Sequence, residues 1–146
     1  MRLTAHNNHN NKQMKIVNLI LRLGLGLMLL LFGFNKFFWF LQDFDFTGFP
    51  NAEYLFNALR FSEASEVNSN GYLMGLVGAA EVVIGALLVA KKWVPFALVM
   101  LVPISVNIVL FHAFLNLPNI GAALVVAGIN GYLMYKNWDN YRSLFL

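Results

Sequence analysis

Among the polar side chains that interrupt the long apolar runs of this 146-residue chain are Arg22, Asn35, Lys36, Glu81, Asn107, His112 and Asn130. An ionised carboxylate deep in an apolar medium costs several kcal/mol unless it is paired or protonated, so Glu81 needs a cation or a proton. Arg22 could reach it with its long side chain. Asn35, Asn107 and Asn130 lie near enough in depth to hydrogen-bond it. A Glu81 that no cation reaches stays protonated and could exchange protons. The plainer reading is that Glu81 locks one helix against its neighbours, because polar groups among apolar helices also act as glue. His112 divides the same way. It is either a hydrogen-bond donor or proton acceptor at the rim of a polar cavity, beside Asn35 and Lys36, or a histidine satisfied by a helix-end carbonyl or by water. No residue is assigned a catalytic role.

The elements that must hold these residues follow from composition. Hydrophobic residues make up 59% of the chain and charged ones 12%, where a soluble protein carries about 25% charged. A helix needs about 20 mostly apolar residues to cross the hydrocarbon of a bilayer. Four stretches qualify, at about residues 16–40, 72–90, 94–113 and 120–138. Soluble helices show a polar face every 3.6 residues, and no charged face can be drawn on VPFALVMLVPISVNIVLFHAF in the third stretch. Short connections force antiparallel neighbours. The expected fold is therefore all-α: a transmembrane four-helix up-down bundle, with a membrane domain over residues 15–146.

At about 100° per residue, small and polar residues gather on stripes. Arg22, Gly26, Gly33 and Lys36 share one line, Gly78, Glu81 and Gly85 a second, and Ala123, Ala127, Asn130 and Gly131 a third. Such stripes let helices approach closely and should face the bundle interior. Ser105 lies on the His112 face of the third span, and Asn107 about 140° away. Pro103 removes a backbone hydrogen bond in mid-span and frees the carbonyl of Val99.

Lysine and arginine set the orientation. Arg2, Lys12, Lys15, Lys91, Lys92, Lys136 and Arg142 fall on one side, while Arg60 falls on the other and Lys36 lies near that edge. Both termini are thus expected in the cytoplasm of a bacterial-type inner (plasma) membrane, with the loop over residues 42–71 outside. Within that loop, Pro50 should open a short helix through residue 61, with Leu55, Phe56 and Leu59 at helical spacing. It either lies in the interface or folds over the bundle mouth. Residues 1–14 are polar and Asn-rich and read as a disordered tail. Its His6 and His9 are expected to be solvated, so no metal site is assigned. Cysteine is absent, which removes thiolate chemistry and Cys-ligated metals from this chain. No phosphate loop, dinucleotide fingerprint or nucleic-acid signature is present.

The chain resembles the DoxX-like membrane proteins. The resemblance is carried by the first span from Arg22 to GFNKF (Gly33 to Phe37), by GLVGAAEVVIGALLV around Glu81, and by WVPFALVMLVPISVNIVLFH ending at His112. It implies a four-helix membrane bundle. It also implies a link to quinone chemistry, since the family includes a small membrane subunit of a thiosulfate:quinone oxidoreductase. Arg22, Asn35, Lys36, Glu81, Asn107 and His112 match the polar signature and would line a cavity.

Two functions follow as expectations. In the first, the protein is a small membrane subunit of a quinone-linked redox system, with a quinone as ligand and a redox protein or a second copy as partner. Lys36, Asn35 or His112 would donate to the head group, Glu81 would relay protons, and Phe37, Phe38, Trp39 and Phe40 would flank the ring. In the second, it is a non-enzymatic assembly factor, a scaffold or a carrier of a small hydrophobic molecule.

Overall fold

The computed structural model describes residues 2–41, 44–60 and 72–142. It is all-helical among the described residues: α1 (Arg2–Phe38), α2 (Pro50–Leu59), α3 (Tyr72–Val89), α4 (Val94–Leu115) and α5 (Ile120–Lys136), with 3-10 turns at Leu117–Asn119 and Trp138–Asn140. Four segments are long and apolar enough to cross a membrane: Gln13–Phe38, Tyr72–Val89, Val94–Leu115 and Leu117–Lys136. The shortest has 18 residues, about 27 Å at 1.5 Å per residue, close to the thickness of the hydrocarbon layer.

The first helix departs from the sequence expectation. Its backbone begins at Arg2 and includes the stretch expected to be a disordered tail. No proline or glycine stands between Arg2 and Leu23 to stop a helix already nucleated in the apolar span, and extending a helix costs far less than starting one.

Proline and asparagine punctuate the rest. Pro50 and Pro95 sit in the first turns of α2 and α4, where the missing N–H costs nothing. The reversal between α3 and α4 is made by Lys91 and Trp93, both in the left-handed region. Asn116 is buried and its Oδ1 accepts from Asn119 Nδ2 at 3.0 Å, which closes the turn between α4 and α5 with Pro118 inside it.

Contacts fix the up-down order. At one end, Lys136 Nζ near the end of α5 lies 3.8 Å from Met14 Sδ on α1, and the Tyr141 hydroxyl donates to the Pro95 carbonyl at 2.9 Å. Burial holds the Tyr141 phenol above its ordinary pKa, so it stays protonated and able to donate. At the other end, Phe46 from the loop between α1 and α2 packs on Phe111 of α4, with ring centroids 6.3 Å apart. The core between the helices is aliphatic: Leu25, Leu29, Ile84, Leu88, Leu98, Leu101, Val126 and Leu133.

The closest pairing is α1 with α3. A Cβ added at Gly26 would lie 3.1 Å from the Gly85 carbonyl oxygen, and one at Gly33 would lie 2.9 Å from that of Gly78. The two glycine stripes face each other, backbone against backbone, as small residues allow between membrane helices.

Candidate functional site: an ion pair between the first and second spans

The glycine contacts determine what α1 and α3 can bring together. Because Gly33 meets Gly78, Lys36 stands one turn from Glu81: a Cβ at Gly78 would lie 3.0 Å from that of Lys36. The lysine stem covers the remaining distance, and Nζ meets Glu81 Oε2 at 2.6 Å. Glu81 is buried at 2% exposure, while the Lys36 side chain keeps 19%. An ammonium has three N–H donors, and one is given to Glu81.

The sequence reading names Arg22, Asn35, Asn107 and Asn130 as partners for Glu81; the partner is Lys36. Estimating depth span by span puts Lys36 well outside the midplane. The stagger set by the two glycine contacts and the reach of a lysine side chain bring its ammonium to the carboxylate. The signal that could have found the pair is the stripe itself, since Lys36 lies on the Gly26–Gly33 line and Glu81 on the Gly78–Gly85 line.

Arg22 has a different task. Its guanidinium donates to the carbonyls of Leu88 and, at 3.3 Å, of Val89. These are the last residues of α3, where carbonyls run out of helical donors; that of Leu88 also accepts from Lys91 N at 3.3 Å. A cation there also meets the negative end of the helix dipole. Arg22→Met should therefore destabilise the protein by about 1 kcal/mol without disturbing the Lys36–Glu81 pair. Thermal unfolding in detergent checks the first part, and an Arg22→Lys variant recovering about half of the loss would assign it to charge.

Asn35 is buried and closes its own helix: its carbonyl accepts from Trp39 N at 2.9 Å and its Oδ1 from Leu41 N at 2.7 Å. Asn130 is buried in α5 at 2% exposure, with no hydrogen-bond partner for its Oδ1 among the described residues. Ser105 is buried and donates to Val102 O at 3.0 Å. His112 lies on the same face of α4 and is half-buried, and its Nδ1 has no partner among the described residues. Asn107 does not join these residues. It is exposed, because the buried stripe of α4 (Ala97, Leu98, Leu101 and Ser105) lies on the opposite side of the helix.

The end of the bundle near Lys36 carries aromatics, though not those expected. Phe37, Phe38 and Phe40 are exposed, since they follow the glycine stripe around to the outside of α1. Trp39 instead stacks under the Arg60 guanidinium, 3.6 Å from the ring centroid. The cluster that covers α4 comes from α2 and the loop before it: Phe56 packs on Phe44 and Phe46 at centroid distances of 5.6 and 5.2 Å, and Phe46 continues to Phe111 beside His112. The Asp45 carboxylate anchors this loop by accepting from Thr47 Oγ1 at 2.6 Å and Thr47 N at 2.9 Å, which holds its pKa below the ordinary value.

The arrangement can do two things chemically. The Lys36–Glu81 pair fixes α1 against α3. It also presents, among the described residues, an ammonium with donors to spare beside a buried carboxylate. No group of His, Asp and Glu suited to holding a metal ion occurs among the described residues.

The sequence model of one family, DoxX, matches residues 17–113, a segment that includes Arg22, Lys36, Glu81 and His112. No curated protein and no solved structure matches the chain.

Proposed function

Because this chain belongs to the DoxX family of membrane proteins, we propose that it serves as a small membrane subunit of a quinone-linked redox system. Its place is the inner membrane of a bacterial-type cell, with both termini in the cytoplasm. A quinone supplies a two-electron, two-proton couple when bound. This chain, without cysteine, supplies the binding and the proton-holding groups. Lys36 donates to a head-group oxygen, and Glu81 holds or returns a proton. His112 offers a further donor from the outer end of α4.

The observation that supports this reading is the 2.6 Å Lys36–Glu81 contact with Lys36 still 19% exposed. Part of the ammonium is thus left within reach of a head-group oxygen. The test is binding of short-chain benzoquinones and naphthoquinones to the purified full chain. Lys36→Met/Glu81→Met, which removes both charges together, should remain folded and lose at least about tenfold in quinone affinity. An affinity equal to that of the unaltered protein in a folded double variant would refute the proposal.

A second reading, a non-enzymatic scaffold, is favoured by the use of Arg22 and Asn35 at helix ends. Protein partners would then copurify equally well with the unaltered chain and with the double variant, and no quinone would accompany either.

A further inference from the structure

The outward face of α4 is patterned. Phe96, Met100, Pro103, Asn107, Leu110 and Phe114 are all exposed. Their spacing alternates four, three, four, three and four residues, the repeat of a two-helix seam, and at about 100° per residue all six fall within about 40° of one line. Five are apolar, and the sixth, in the middle of the membrane span, is an asparagine. Its carboxamide carries two N–H donors and an acceptor oxygen, which hydrocarbon cannot satisfy. Pro103 adds to the demand on this side of the helix, because Val99, also exposed, loses the amide that its carbonyl would otherwise bond.

We propose that a second copy of this chain covers this face, so that the protein is a two-fold dimer with Asn107 at its axis. Two copies inserted the same way up are related by an axis along the membrane normal. Their α4 helices then run parallel, and each seam residue meets its own counterpart. A carboxamide is one of few side chains that complements itself, with each N–H donating to the other's oxygen. A single asparagine in an otherwise apolar heptad stripe also fixes register and a two-stranded state. The exposed side of α3 repeats the spacing at Tyr72, Leu76, Ala79, Val83 and Ala86 but holds no carboxamide in mid-span, so Asn107 is what singles out α4. The inference does not depend on the quinone reading, since the α4 face lies opposite the buried side of the helix.

The absence of native cysteine makes the test direct. Met100→Cys and Leu110→Cys, introduced singly into the full chain and oxidised in native membranes, should each give a disulfide-linked homodimer. Val83→Cys, exposed on α3, should not. Adding Asn107→Leu to Met100→Cys should lower the dimer yield about threefold to tenfold. The proposal is overturned if Val83→Cys cross-links as well as the seam positions, if the seam cysteines link only to other proteins or to nothing, or if Asn107→Leu leaves the yield unchanged.

Discussion

Lys36→Met should destabilise the protein by about 3–5 kcal/mol, the loss typical of removing one partner from a buried ion pair. Glu81 is 2% exposed and has Lys36 as its salt-bridge partner among the described residues. Without that ammonium it must either stay charged in an apolar setting or take up a proton. The reverse substitution is milder. Glu81→Gln keeps the shape of the side chain, and the freed Lys36, already 19% exposed, can turn its head group toward water along its flexible stem. A loss at least about twofold smaller for Glu81→Gln than for Lys36→Met is therefore expected. Unfolding followed by circular dichroism in mild detergent reads both. Equal losses would mean that Lys36 is as confined as Glu81.

The second large effect belongs to the glycines. In Gly85→Leu the new Cβ would lie 2.7 Å from the Gly26 carbonyl oxygen and 3.0 Å from Leu30 N. Both are backbone atoms of α1 and cannot rotate away, so the two helices must separate. Overpacking of this kind costs about 1–3 kcal/mol even where side chains can adjust. Here it also moves Glu81, one turn along α3, away from Lys36, so the two losses combine. Little folded protein should be recovered. Gly24→Leu and Gly128→Leu serve as controls, because a Cβ at either position meets nothing within 4 Å. Recovery of Gly85→Leu at the level of those controls would show that the α1–α3 contact is looser than described.

How much of this could be read from the chain alone depended on the range of the forces involved. The four spans and the short helix opened by Pro50 are legible because length, hydropathy and proline act locally. The facing stripes of α1 and α3 are legible because helical periodicity places Gly26, Gly33 and Lys36 on one line and Gly78, Glu81 and Gly85 on another. The partner of Glu81 is not. It depends on a stagger of a few ångströms between two helices, which is set by where glycine backbones touch, and no single-helix property encodes it. The same holds for Asn107. Its helix has two polar faces, Ser105 with His112 on one and Asn107 on the other, and only packing decides which turns inward. Arg22 shows a third kind of difficulty. A cation in an apolar run suggests a carboxylate partner, yet the last carbonyls of a neighbouring helix satisfy it as well, and their position depends on where α3 stops.

The central claim is that charge inside this membrane bundle is paired across the α1–α3 contact, and a double-mutant cycle on Lys36 and Glu81 tests it most directly. Unfolding free energies are compared for the unaltered chain, Lys36→Met, Glu81→Met and the double variant. The double variant should be more stable than Lys36→Met, with a coupling of at least about 2 kcal/mol. Losses that simply add, with the double variant the least stable of the four, would contradict it.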